Sequence, residues 1–165
     1  MRRSRSGTAM IEFVFLGIPV IFVTMSIIEA SIAMWQFHSM AFAVAVATRY
    51  AATHGAGCSL NGNTCSITVG AVTTMLSNQG PALNTAKLNA TLTTNSATKT
   101  CNPINTCLSS TTQFPSAADN AVGLDVKIAV TYPVFNPLAM FWPGAGTVSS
   151  PNVTLGATSK QRILF

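Results

Sequence analysis

The chain has 165 residues, of which 8% are charged and 48% hydrophobic, with a formal net charge of +5. Arg2, Arg3 and Arg5 supply three of the nine basic residues, and beyond Gly7 the remaining six basic and four acidic residues leave only +2. No basic patch with interleaved aromatics survives that subtraction, which argues against nucleic-acid binding, and four acids with two histidines leave few candidates for general acid–base catalysis.

In chain order, the basic cluster is followed by a run from Phe13 to Ile28 without a charge, and apolar character continues past Glu29 to Trp35. At about 1.5 Å per residue, Phe13 to Ile32 covers roughly 30 Å, one hydrocarbon thickness. The arginines flank only its amino end, so the positive-inside rule places the N-terminus in the cytoplasm and the rest of the chain outside. Trp35 and Phe37 fall at an interfacial aromatic belt, with Glu29 close to the outer boundary. Gly17 and Pro19 interrupt helix propensity inside the span, as an ordinary kink or as a site of functional loosening. Residues 36–54 lack Gly and Pro until Gly55, which predicts one helix from Thr8 to His54, about 70 Å long, half in the membrane and half the spine of an outer domain. Phe42, Val46 and Tyr50 form its expected packing stripe.

Cys58 and Cys65, and Cys101 and Cys107, bound two intervals rich in Asn, Thr, Gly and Pro, CSLNGNTC and CNPINTC. Their spacings are not those of a zinc ribbon. An even count suits an oxidising compartment, and four cysteines permit three connectivities, of which pairing within each tight loop is favoured. Between the loops, Val69, Val72, Met75 and Leu76 have helical spacing, with Ser66 or Thr68 as N-cap and Gly80-Pro81 as stop. Leu88, Ala90 and Leu92 alternate as in a strand. Residues 93–120 show no clear periodicity. Leu124, Val126, Ile128, Val130 and Tyr132 alternate against Asp125, Lys127, Ala129 and Thr131. An apolar loop, NPLAMFWPGAG, then precedes a last strand with Val153, Leu155 and Ala157 inward. The expected fold is α+β: a long N-terminal transmembrane and spine helix with a small three-stranded antiparallel sheet. It divides into residues 1–7 ahead of the helix on the cytoplasmic side, 8–54 as helix, and 55–165 as an extracytoplasmic domain with two disulfide loops.

No nucleophile elbow, phosphate-binding glycine loop or metal-ligand cluster is present, so neither enzymatic activity nor a cofactor or metal is expected. His38 and His54 read as surface or packing residues, and Asp119 and Asp125 as solvated ones.

The N-terminus admits three readings. One is a secretory signal peptide cut near SIIEASIA, which has small residues at Ser31 and Ala33; another is an uncleaved anchor. The third rests on more residues: Gly7-Thr8-Ala9-Met10-Ile11-Glu12-Phe13 resembles the processing site of type IV prepilins and pseudopilins, and the Glu12-Phe13 pair is close to the Glu-Tyr of Flp-type pilins of tight-adherence systems. SIIEASIAMWQ resembles the GIIEFGRLLW segment of TadE-like proteins, and ATRYAATHG their following helix end. VKIAVTYPVF and VTLGATSKQR resemble their closing strands. The usual arginine after the Glu29 region is absent, which leaves Glu29 without an evident intrachain partner.

The resemblance implies cleavage between Gly7 and Thr8 by a prepilin peptidase. Glu12 and Phe13 would then act in assembly, with Glu12 meeting the new ammonium of a neighbouring subunit and Glu29 as a second contact. It implies an inner-membrane, single-pass TadE-like pseudopilin or minor pilin, with its C-terminal domain periplasmic or carried into an extracellular pilus. Its partners would be other pilins and pseudopilins and the membrane assembly platform. The alternatives are a main filament-forming pilin, or a membrane-anchored periplasmic binding module that uses the NPLAMFWPG loop.

Overall fold

In a computed structural model, which describes residues 6–55, 58, 67–80, 83–135 and 152–164, the alanine-rich and apolar N-terminal segment forms one helix, α1 (Ser6–Ala52). It passes through Pro19 without a break. The hydroxyls of Thr24, Ser26 and Ser31 donate to the carbonyls of Ile21, Phe22 and Ile27 at 2.9, 2.8 and 2.7 Å, so these polar groups are satisfied within the helix itself, as an apolar surrounding requires. The helix ends two residues before the expected His54. Thr53 N–H still reaches the Arg49 carbonyl at 3.0 Å, and Leu164 N–H, from the C-terminal segment, reaches that of Ala52 at 3.2 Å. Carbonyls of the last turn thus find donors after regular geometry stops.

The second helix, α2 (Val69–Gln79), is capped by Thr68, whose Oγ1 accepts from Ala71 N–H at 3.1 Å. Val69 and Gly70 donate to the carbonyls of Thr112 and Ser110 at 2.8 and 3.0 Å, so the first-turn donors are spent on a neighbouring loop. That approach needs glycine. A Cβ on Gly70 would stand 2.6 Å from the Leu108 carbonyl oxygen and 2.7 Å from that of Ser110, both fixed backbone. Overpacking of about 1–3 kcal/mol outweighs the helix-propensity gain of about 1 kcal/mol from alanine. Gly70→Ala is therefore expected to lower the thermal midpoint of the full chain in detergent by several degrees. Gly80→Ala, which meets mainly the Leu83 side chain, is expected to shift it less; equal midpoints would remove the argument.

Four strands follow: β1 (Asn89–Thr93), β2 (Thr98–Cys101), β3 (Asp125–Phe135) and β4 (Asn152–Arg162). They form one antiparallel sheet in the order β2-β1-β3-β4. The sheet corrects the expected three strands to four. β2 is exposed at Thr98, Lys99 and Thr100 and buried only at Cys101, so an edge strand of four residues carries no alternation to read. Pro133 is tolerated inside β3 for a geometric reason. Leu124 accepts from Ile163 at 2.8 Å, so alternate residues from Leu124 onward bond β4 and the intervening ones bond β1. Pro133 belongs to the second set and lies beyond the last β1 partner, Thr131 opposite Asn89. Its missing N–H therefore has no ladder bond to lose.

The core lies between one sheet face and the two helices. Leu88, Ala90, Leu92, Val126, Ile128, Val130 and Tyr132 meet Val72 and Leu76 of α2 and the upper half of α1. The packing stripe on α1 is Met40, Ala43, Val44, Ala47 and Ala51, all buried. This corrects the expected stripe in part: Tyr50 is half-buried and packs at the edge of the core, whereas Val46 is half-buried without joining it and Phe42 is 58% exposed. Small alanines let the helix backbone approach the sheet, whose aliphatic side chains fill the space, while Phe42 projects from the far side. Val153, expected inward, is 52% exposed, and only Leu155 and Ala157 of that strand pack on the core.

Candidate functional site

The four acidic residues divide cleanly. Asp119 is buried, contrary to the solvated reading. Its Oδ2 accepts from Thr94 Oγ1, from Ser96 Oγ at 2.6 Å and from Ser116 Oγ at 3.2 Å, and Ser96 N–H donates to both carboxylate oxygens at 3.2 Å. These bonds tie the β1–β2 turn to the loop after Phe114. They hold the Asp119 carboxyl below the ordinary aspartate value, the Ser96 hydroxyl first among the causes. Asp125 is half-exposed on β3 and pairs with Lys160 at 2.8 Å and Arg162 at 3.6 Å on β4, which lowers its pKa. The sheet brought those cations opposite it, with Arg162 its direct cross-strand neighbour. The solvated reading of Asp125 is corrected to a surface ion pair.

The other two acids, Glu12 and Glu29, stand on α1, and neither forms an ion pair among the described residues. Glu12 is exposed and Glu29 half-buried. Gly7 and Thr8 lie in the opening turn of α1, with Glu12 in the next. The first turn contains no acid, so macrodipole attraction, which fades within that turn, gives Glu12 little. Phe13, beside it, is 69% exposed, and its ring lies over Gly17, where a Cβ would meet it at 3.4 Å. From Met10 onward α1 is long and apolar enough to cross a membrane, and its most apolar stretch has none of its surface covered by the rest of the protein. Met10, Phe15, Ile21, Ile28 and Met34 are each more than half exposed. Burying such a side chain is worth about 1.5–3 kcal/mol, so this surface is a strong demand for lipid or for other helices.

The remaining expected residues sit away from that surface. Cys101 and Cys107 are joined by a disulfide that closes the 3-10 turn Ile104–Cys107. Cys58 is disulfide-bonded; Cys65 lies outside the described residues, as do Arg2, Arg3 and Arg5 and the NPLAMFWPG loop. His54 packs on Tyr50 with ring centroids 4.3 Å apart and its Nδ1 2.8 Å from the Tyr50 carbonyl. His38 is exposed, edge-on to Phe37. Sequence reasoning missed the side of α1 opposite the sheet: Trp35, His38, Phe42, Ala45 and Arg49 are all exposed and spaced alternately three and four residues apart. The spacing is legible directly, but an aromatic such as Phe42 in an alanine-rich helix reads as a core residue.

Comparison with known families gives a match to the N-terminal part of the chain. A family model described as TadE-like protein covers residues 7–49, which takes in Gly7, Glu12, Glu29 and Arg49 and nearly all of α1. It does not reach β3 or β4, whose likeness to that family remains one of pattern. No curated protein and no solved structure matches the chain.

Proposed function

With a TadE-like segment over residues 7–49 as premise, we propose that the chain is a minor pilin-like component of a tight-adherence pilus, incorporated through α1. In this reading residues 1–7 are a cytoplasmic leader removed by a prepilin peptidase between Gly7 and Thr8. α1 from residue 8 anchors the chain in the inner membrane, and the domain beyond it stands in the periplasm until the assembly platform extracts the subunit. Other pilins and pseudopilins then cover the apolar surface that lipid had covered.

The observation that carries the reading is the unequal use of acids. The fold engages Asp119 and Asp125 and leaves both α1 glutamates without an ion pair among the described residues. A carboxylate carried into an apolar interior costs a few kcal/mol unless compensated. Cleavage after Gly7 would supply compensation, an ammonium on Thr8 of a neighbouring subunit for Glu12 to meet. Any arrangement that leaves Glu12 unpaired is penalised, which makes the charge a selector of position rather than a source of net stability.

N-terminal sequencing of the protein from its native host, with and without the prepilin peptidase, tests this. The expected result is a start at Thr8 that requires the peptidase. A start at Met34 would indicate secretion, and a start at Met1 in peptidase-positive cells a plain anchor; either would end the pilin reading.

A further inference from the structure

The unabsorbed features of α1 are its outward side and a third charge, Arg49, which is exposed and has no ion pair among the described residues. Trp35, His38, Phe42, Ala45 and Arg49 alternate in steps of three and four, the period with which one helix presents a seam to another. Trp35 is 60% and Phe42 58% exposed on this seam. Glu29 lies on the other side. Eleven residues, or about three turns, beyond it the same side of the helix carries Met40 and is covered by the sheet.

We propose that a second copy of this chain packs on that seam, displaced about 30 Å outward along the helix axis, so that Arg49 of one copy pairs with Glu29 of the next. The inference rests on the pilus reading above and deepens it, because such a displacement arises only once a subunit has left the membrane. The charge pair fixes the offset, and the apolar surface is compatible with it. Glu29 and Arg49 are 20 residues apart, and so are Phe15 and Trp35. One displacement therefore joins the opposite charges and also sets Phe15, 74% exposed, beside Trp35. The segment from Glu29 to Arg49 contains neither Gly nor Pro, so the helix between the two charges keeps its regular rise. At 3.6 residues per turn the two charges project on nearly opposite sides of α1. Each copy thus uses one side to receive and the other to be received. A head-to-tail contact of this kind does not close on itself, so successive copies of this minor component can stand in a short run within a filament that other pilins complete. Apolar seams supply the attraction and the charge pair sets the register.

Oxidative crosslinking in the native host tests this with a chain carrying Phe15→Cys and Trp35→Cys together. Two copies at the same membrane depth hold those positions about 30 Å apart, so a crosslink reports the displaced packing. The single-cysteine chains control for exchange with the native disulfides. The expected result is a ladder of crosslinked species in envelopes and sheared fibres. Arg49→Glu or Glu29→Arg alone should weaken the ladder about threefold to fivefold, and the two reversals together should restore it. A chain that starts at Thr8 but gives no ladder, or a ladder indifferent to the reversals, overturns this register and leaves the pilin reading standing. A chain that starts at Met1 and gives no ladder removes both.

Discussion

If the chain is processed and assembled as proposed, replacing Glu12 by glutamine is expected to leave cleavage after Gly7 intact and to lower the amount of the chain in sheared surface fibres about a hundredfold. Removing one partner of a poorly solvated ion pair costs about 3–5 kcal/mol, and the low end applies at a membrane boundary where some water reaches the charge. Each 1.4 kcal/mol is a factor of ten in an equilibrium. Glutamine keeps the size and hydrogen-bonding capacity of the side chain, so the variant isolates the charge. Glu12→Asp, which keeps the charge on a shorter stem, should lose far less. Quantitative immunoblotting of membrane and sheared fractions reads both. If the glutamine chain enters fibres as the parent does, the electrostatic account of assembly fails. Glu12 would then be a hydrated boundary residue, a role its exposure also permits.

The largest polar contribution to the outer domain is expected from Asp119. Asp119→Ala leaves the hydroxyls of Thr94, Ser96 and Ser116 and the N–H of Ser96 without their common acceptor. Unpaired donors in a closed site cost more than the bonds had contributed. The variant should unfold several degrees below the parent at pH 7, followed by near-UV circular dichroism of the full chain in detergent. The pH dependence has a definite sign. Because the folded-state pKa of Asp119 is lowered, its contribution is fully present above the ordinary aspartate value. It is lost as the pH falls from there through the folded value. Asp119→Asn should therefore destabilise at neutral pH and flatten the acid limb of the stability profile below about pH 4. An unchanged acid limb would assign that limb to other groups. Asp125 offers the contrast. Its partners Lys160 and Arg162 are 61% and 69% exposed, so solvent and salt screen the pair and its removal should matter little.

Much of this protein is written locally. The uncharged run from Phe13 to Ile28 demands a helix in an apolar setting, and the helix is there. Val126, Ile128, Val130 and Tyr132 alternate because one face of β3 is buried and the other is not, so their burial could be read from spacing alone. Thr68 announces the start of α2 because its hydroxyl can serve the first turn from within four residues. The TadE-like segment falls in this category too, since residues 7–49 are one contiguous stretch of chain. Period, capping and hydropathy act over a few residues, and the sequence displays them openly.

Tertiary structure decided what depends on residues far apart in the chain. β2 has no inward pattern and exists as a strand because β1 is there to pair with it. Which side of α1 is buried was settled by the need for close approach to β3 and β4, which favoured Ala43, Ala47 and Ala51 and turned Phe42 outward. Asp119 became a buried acceptor only when Thr94 and Ser96, more than twenty residues earlier, were folded onto it. Charge compensation is a property of neighbours in space, so the sequence could count four acids but not say which two the fold would use.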